Sequence, residues 1–248
     1  MNQSVVCKNC GSEFTGIFCS NCGQKKIHGR ITLREITHNF FHSFTHLDSG
    51  IFFLMKELLF RPGTVVREYL DGKRKKYFNP FQFLILAIAA ATFLAVKFTL
   101  FGPNINPDLI KGITEQQRFF ILFNNFIYKY FNIILFVSVP VAAAYSRLIF
   151  RKSGYNYAEN LIFQTFIAAE RTVFYIVLTP MIYFTKSNWT IGVGIYYLLW
   201  IIYFGYAFVG FFGGNRFRTI LKYIAVLLLL ILTSQTLSMS LFYLFFYE

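Results

Sequence analysis

Residues 81–101 read FQFLILAIAAATFLAVKFTLF, an apolar run of 21 residues. About 20 apolar residues in a helix are enough to cross a hydrocarbon core about 30 Å thick. The one charged residue, Lys97, lies near the end of the run, where its side chain can reach the membrane interface. We therefore predict a transmembrane helix here. Further apolar runs predict four more spans, at residues 130–150, 161–184, 190–212 and 219–247.

The composition of the whole chain agrees with this interpretation. Hydrophobic residues make up 56% of the 248 residues and charged residues 14%, against roughly 25% charged residues in an ordinary globular domain. Such a chain has too few charges to cover a water-soluble surface. We predict an all-α polytopic membrane protein with about five transmembrane helices, and a separate interfacial helix at residues 114–129.

Lysine and arginine are distributed unevenly around the predicted spans. Eighteen of the 24 lie in residues 1–80 and in the loops after the second and fourth spans, whereas four lie in the opposite loops. Because cytoplasmic loops carry the excess of Lys and Arg, this distribution predicts a cytoplasmic N-terminus and a C-terminus outside the cell. The net charge is +13, but half of the 24 Lys and Arg lie in the first 80 residues and the remainder cluster at the edges of apolar segments, which argues against nucleic-acid binding.

All four cysteines lie near the N-terminus, in the motifs CKNCG at residues 7–11 and CSNCG at residues 19–23. Four thiolates at this spacing are typical of a tetrahedral zinc site, and Gly11 and Gly23 suit tight turns with positive φ. The start of the chain lacks an apolar leader, so we expect it to stay in a reducing compartment. We call residues 1–26 the cysteine knuckle. The predicted ligands of a structural Zn²⁺ are Cys7, Cys10, Cys19 and Cys22.

Residues 32–47 predict an amphipathic helix, with apolar residues recurring at helical spacing from Leu33 to Leu47. The opposite face is polar and rich in histidine. This face is either a polar surface at headgroup level, a site for a metal ion or proton, or a pocket for a lipid or partner. Its members are Glu35, His38, His42, His46 and Asp48. Only four histidines occur in the chain, too few for a membrane di-iron oxygenase.

A basic stretch, RPGTVVREYLDGKRKKYFNP, precedes the first predicted span at residues 61–80. Pro62 suits the first turn of a helix and Gly72 the residue that ends it. Each Lys or Arg near an anionic membrane surface contributes about 1 kcal/mol of attraction. The stretch either anchors the span or binds a phosphate-bearing lipid. The candidate headgroup ligands are Arg61, Arg67, Lys73, Arg74, Lys75 and Lys76.

Two charged residues, Glu170 and Arg171, lie inside the third predicted span. Each costs a few kcal/mol in lipid unless it is paired or hydrated. Adjacent side chains diverge by about 100° on a helix, so these two cannot pair well with each other. They predict a structural ion-pair network, a shorter and displaced span, or a polar cavity for an ion, proton or small solute.

The motifs CxxCG and FCxxCGQK, followed by RPG…REYLDGKRKKYFNPF leading into a span, resemble an uncharacterised bacterial membrane family. It is a domain-of-unknown-function family with an N-terminal zinc ribbon. The resemblance covers about residues 5–90, with a further weak match at residues 157–160, YAEN. It implies a similar architecture in a bacterial inner membrane and no particular activity. Five spans with a cytoplasmic N-terminus are also similar in topology to Yip1-type membrane proteins.

These patterns divide the chain into the cysteine knuckle at 1–26, amphipathic and basic juxtamembrane helices at 27–80, and a transmembrane domain at 81–248. We expect a non-enzymatic accessory protein of the cytoplasmic membrane. Its cysteine knuckle and amphipathic helix would engage a protein partner or anionic headgroups. The alternatives are a small-solute or ion transporter that uses Glu170 and Arg171, and a metal-dependent enzyme that acts on lipid headgroups through His38 and His42.

Overall fold

The computed structural model describes residues 4–27, 29–42, 50–97, 114–184 and 189–245. Strands β1 (Val5–Val6) and β2 (Glu13–Phe14) form an antiparallel pair in the cysteine knuckle. The rest is mainly helical. The helices of the described residues are α1 (Leu33–His42), α2 (Ile51–Phe60), α3 (Pro62–Asp71), α4 (Pro80–Lys97), α5 (Glu115–Ile149), α6 (Tyr157–Phe184), α7 (Trp189–Phe212) and α8 (Arg216–Phe245).

Four helices are long and apolar enough to cross a bilayer. Their candidate spans are Lys129–Ile149, Tyr157–Pro180, Ile191–Phe212 and Arg216–Phe245. The first predicted span corresponds to α4, whose apolar part, Pro80–Leu94, is shorter than the other four, and residues 98–101 lie outside the described residues. The predicted all-α polytopic membrane fold is confirmed, with four full-length spans rather than five among the residues described.

The interfacial helix that we predicted at residues 114–129 is not a separate element. It forms the first half of α5, which runs without interruption for 35 residues, or about 52 Å. A capping box starts this helix: Thr114 Oγ1 accepts from the Gln117 N–H, and Gln117 Oε1 accepts from the Thr114 N–H. The prediction was wrong because no Gly or Pro lies between this cap and Pro140 to end the helix.

Helix α6 lies at the centre of the bundle and packs against α4, α5 and α7. An aromatic cluster fills the core at one end of α6 and α7. The Phe163 ring stacks on Phe211 at 4.4 Å between centroids and meets Phe208 edge-on at 5.0 Å. These three side chains are almost completely buried, whereas α8 exposes Leu228 and Leu232 on its outer face, as expected of a helix in contact with lipid.

Helices α2 and α3 form a short hairpin that lies against α6 and α7. Pro62 is in the first turn of α3 and Gly72 ends it with a φ of +118°, as predicted. The Tyr203 and Tyr206 hydroxyls of α7 donate to the carbonyl oxygens of Leu58 and Phe60. These carbonyls lie in the last turn of α2, where the helix itself supplies no donor. The hairpin is therefore fixed to the bundle by hydrogen bonds at its own turn.

The backbones of the hairpin and the bundle come close together at Gly63 of α3 and Gly210 of α7. A Cβ on Gly63 would overlap the backbone carbonyl group of Gly210. A Cβ on Gly210 would lie 3.4 Å from the Gly63 Cα, which is close to ordinary contact. Of these two positions, only Gly63 therefore has no room for a side chain.

We expect Gly63→Ala to lower the stability of the purified protein by about 2 kcal/mol or more, because backbone must move away from backbone. Gly210→Ala should change stability by less than about 1 kcal/mol, since Ala also favours the helix. Thermal unfolding of both variants in one detergent measures this difference. Equal losses of stability would show that the two helices do not cross here.

Candidate functional site

The four cysteines of the cysteine knuckle are gathered at one point. All four Sγ atoms lie within 4.8 Å of one another, with 3.6 Å between Cys7 and Cys22 and 3.6 Å between Cys10 and Cys19. Four sulfurs at about 2.3 Å from a tetrahedral ion would be about 3.8 Å apart. The thiol groups therefore have the separation that one metal ion requires.

The two halves of the cysteine cluster have matching backbones. The Gly11 N–H donates to the Cys7 carbonyl at 2.8 Å, and the Gly23 N–H donates to the Cys19 carbonyl at 2.9 Å. Both glycines have the predicted positive φ, +78° and +70°. Each CxxCG motif thus closes a tight turn that directs two sulfurs to the same side. The four close cysteines can bind a metal ion.

The cysteine knuckle lies against the basic turn, which we define as residues 72–76. The buried Gln24 side chain donates through Nε2 to the Gly72 carbonyl at 2.8 Å. Its Oε1 accepts from the Arg74 and Lys75 N–H groups at 3.1 Å each. One glutamine therefore satisfies three backbone groups of the basic turn. At Gly72, a Cβ would lie 2.7 Å from a side-chain carbon of Lys8, so the contact also requires glycine.

A second set of contacts joins the chain after the cysteine knuckle to the start of α6. Arg30 donates through Nε to Glu159 Oε1 at 2.8 Å and through Nη2 to Glu159 Oε2. Asn156 donates to the Ile31 carbonyl at 3.0 Å. Asn156 and Glu159 also form reciprocal hydrogen bonds between side chain and backbone that cap α6. The YAEN motif thus starts a helix and binds the N-terminal segment.

Most of the predicted headgroup ligands have partners within the protein. Arg61 pairs with Glu57, and Arg67 donates to the Gly210 carbonyl. Lys73 and Lys76 both pair with Glu68. Hydrogen bonds from Lys76 and Tyr77, with the positive charge of Lys76, lower the pKa of Glu68 to about 2. Internal ion pairs therefore neutralise part of the positive charge of the basic stretch, and fewer of its basic residues are left for a lipid headgroup.

Arg74 and Lys75 line a pocket of about 610 Å³ between the cysteine knuckle, the start of α1 and the basic turn. We call it the basic pocket. Its charged lining residues are one acidic residue, Glu35, which pairs with Arg74, and six basic residues. The six are Lys25, Lys26, Arg30, Arg34, Arg74 and Lys75. The sequence did not single out the first four, although Lys25 and Lys26 directly follow the second CxxC motif.

The predicted histidine face is only partly described. Glu35 pairs with Arg74, which places this end of the face at the basic pocket. His38 and His42 lie on α1, but their side chains are outside the described residues, as are His46 and Asp48 entirely. The hypothesis of a second metal site therefore remains a prediction.

Glu170 and Arg171 occupy different surroundings on α6. Arg171 lines a cavity inside the bundle, where its Nε donates to the Tyr196 hydroxyl at 3.0 Å. Glu170 is 2% exposed, does not line that cavity, and has one carboxylate oxygen without a hydrogen bond to the described residues. The structure therefore does not bring the two side chains into one polar site.

Fold and site together define a multi-pass helical membrane protein with an N-terminal four-cysteine module. Residues 48–92 match the family model DUF3667, a protein family of unknown function. The match covers α2, α3, the basic turn and most of α4. No curated protein and no solved structure matches the chain. The similarity in topology to Yip1-type proteins is therefore not supported by any of these comparisons.

Proposed function

We propose that this chain is a non-enzymatic accessory protein of a bacterial cytoplasmic membrane, and that it binds anionic lipid headgroups in the basic pocket. The observation that carries the proposal is the charge of this pocket, with six basic residues and one acidic residue around about 610 Å³. Four of the six, Lys25, Lys26, Arg34 and Lys75, form no ion pair with a described residue. Their charges are available to a ligand.

The burial of Arg74 adds to this argument. Its Nη1 pairs with Glu35, but Nε and Nη2 are buried without a hydrogen-bond partner among the described residues. Buried donors of a charged group are costly when they are unsatisfied. Phosphate oxygens accept several such hydrogen bonds at once, and Arg matches their geometry. A phosphate group that reached these donors from the basic pocket would satisfy them.

Zinc is the metal that we propose for the cysteine cluster. Four thiolates suit a tetrahedral Zn²⁺, and such a site has no open position for a substrate or a reactive water molecule. The role is therefore structural. Apart from the cysteines, the buried hydrophobic core of the knuckle is little more than Phe14, so the metal would supply the energy that a small hydrophobic core cannot.

The proposed orientation places the cysteine knuckle in the cytoplasm. The contact of Arg30 with Glu159 puts the segment after the cysteine knuckle beside the start of α6, and the contact of Arg67 with Gly210 puts α3 beside the end of α7. The loops at this end of the bundle carry Arg151, Lys152 and Arg216. An excess of positive charge at one end supports a cytoplasmic location for that end.

The two alternative functions have less support. A transporter that uses Glu170 together with Arg171 would need both side chains on one path, and only Arg171 lines the cavity. An enzyme that acts through His38 and His42 would need an open metal site. The candidate metal cluster among the described residues consists of four cysteines, which would fill a tetrahedral ion, and the side chains of His38 and His42 lie outside those residues.

For the metal, we expect one zinc ion per purified chain and none in the double variant Cys7→Ser/Cys10→Ser, which loses half of the ligands. Elemental analysis of the full-length protein measures both. The matched control, His38→Ala/His42→Ala, should keep its one zinc. A second metal ion that is lost from this control alone would instead favour the enzyme hypothesis.

For the headgroup, we expect short-chain dioctanoyl phosphatidylglycerol to bind the purified chain more tightly than dioctanoyl phosphatidylcholine. Lys25→Gln/Lys26→Gln should weaken binding of the anionic lipid by about thirtyfold, because each of the two basic residues contributes about 1 kcal/mol. Isothermal titration calorimetry at low and high salt measures the affinities, and high salt should also weaken them.

The control for this titration is Arg151→Gln/Lys152→Gln, which removes the same charge from the same end of the bundle but outside the basic pocket. It should bind phosphatidylglycerol within about twofold of the unmodified chain. Equal binding of the two lipids, or equal weakening by the two double variants, would contradict headgroup binding in the basic pocket. Zinc content confirms that each variant is folded.

A further inference from the structure

The cavity beside Arg171 lies between α5, α6, α7 and α8 and has a volume of about 240 Å³. This is far more space than one water molecule needs. Besides Arg171, polar side chains line it from all four helices: Ser138 of α5, Gln164 of α6, Tyr197 of α7, and Ser234, Gln235 and Ser238 of α8. Most of the other lining residues are apolar, and no Asp or Glu of the described residues is among them.

Contacts with three aromatic residues hold Arg171 at the cavity. Its Nε donates to the Tyr196 hydroxyl, and its guanidinium carbon lies 4.4 Å from the centroid of the Trp200 ring and 5.7 Å from that of Phe131. Both Nη atoms make no hydrogen bond with a described residue, and no described carboxylate is within ion-pair distance. The aromatic contacts orient the guanidinium group, but they do not neutralise its charge.

An arginine without a counter-ion is costly at this depth. Arg171 is the fifteenth residue of the candidate span Tyr157–Pro180, and Arg cannot lose its proton in a protein. Such residues in membrane spans pair with an acidic group, with backbone carbonyls or with a ligand. Glu170 cannot serve, because it does not line this cavity. An anion that enters the cavity would supply this counter-ion.

The hydrogen-bond geometry of Arg171 and the apolar side chains around the cavity indicate which kind of anion would fit. A carboxylate can accept two hydrogen bonds from one guanidinium group, which matches the two Nη atoms of Arg171. Phe131 and Ile134 of α5, with Leu230 and Ile231 of α8, form an apolar wall on which a hydrocarbon chain can pack. We propose that this cavity binds an amphiphile that carries one carboxylate and an apolar chain. This site is separate from the basic pocket and does not depend on headgroup binding there.

Trp200 provides a reporter at the site, because it lines the cavity and is one of only two tryptophans. In a Trp189→Phe background, Trp200 is the sole tryptophan. We would add 9,10-dibromostearate, or its uncharged methyl ester at the same mole fraction, to this protein in phosphatidylcholine nanodiscs at about pH 8.5, where the free carboxylate is ionised. Bromine quenches a nearby indole, so the loss of fluorescence reports occupancy.

We expect half-maximal quenching by the carboxylate at a concentration at least about tenfold lower than by the ester, as expected for a charge-assisted pair with arginine. Arg171→Gln should abolish this preference, Arg171→Lys should retain part of it, and Glu170→Gln should leave it unchanged. Equal quenching by acid and ester, or a preference that survives Arg171→Gln, would overturn the proposal. If Arg171→Gln does not fold, the comparison of acid with ester in the Trp189→Phe protein still decides it.

Discussion

The arrangement of the N-terminal end of this protein depends on the side-chain amide of Gln24. Its oxygen and nitrogen bind three backbone groups of the basic turn, at Gly72, Arg74 and Lys75. Polar backbone groups must find partners when they are buried, and here a side chain from a different module supplies them. The basic turn carries four consecutive basic residues, 73–76, whose mutual repulsion opposes a compact conformation. Gln24 holds this turn in place and so joins the cysteine knuckle to the membrane domain.

Ion pairs neutralise several of the basic residues around the basic turn. Glu68, Glu35 and Glu159 each neutralise basic residues of the N-terminal region: Lys73 and Lys76, Arg74, and Arg30, respectively. The chain has 24 basic and 11 acidic residues, so pairing cannot neutralise all of them. Part of the excess lies in the basic pocket, where the docked cysteine knuckle places Lys25 and Lys26 in the same lining as Lys75. A ligand with negative charge is the physical complement of that surface.

Local patterns in the sequence were sufficient for the features that depend on nearby residues. The CxxCG motifs predicted both the cysteine cluster and the positive φ of Gly11 and Gly23, and Pro62 and Gly72 marked the ends of α3. The apolar runs predicted the membrane class of the fold. The length of α5 was misjudged, because the change from polar to apolar composition near residue 129 looked like a boundary, whereas the backbone contains no helix breaker there.

Contacts between distant residues could not be predicted in this way. Arg30 and Glu159 are 129 positions apart, and Gln24 and Gly72 are 48 apart, so no local pattern connects them. The surroundings of Glu170 and Arg171 could not be predicted either. The sequence placed both charges in one span, and successive residues on a helix face different neighbours. Which of the two lines the cavity is determined by the packing of α5, α7 and α8 around α6.

Hydrogen exchange at the basic turn tests most directly whether the cysteine knuckle is docked through Gln24. In the unmodified protein the Arg74 and Lys75 amides should exchange slowly, and Gln24→Ala should speed their exchange by about tenfold, since each hydrogen bond contributes about 1 kcal/mol. Asn21→Ala removes a hydrogen bond to Ser12 within the cysteine knuckle and should leave these amides unchanged. Fast exchange in the unmodified protein, or no effect of Gln24→Ala, would contradict this account.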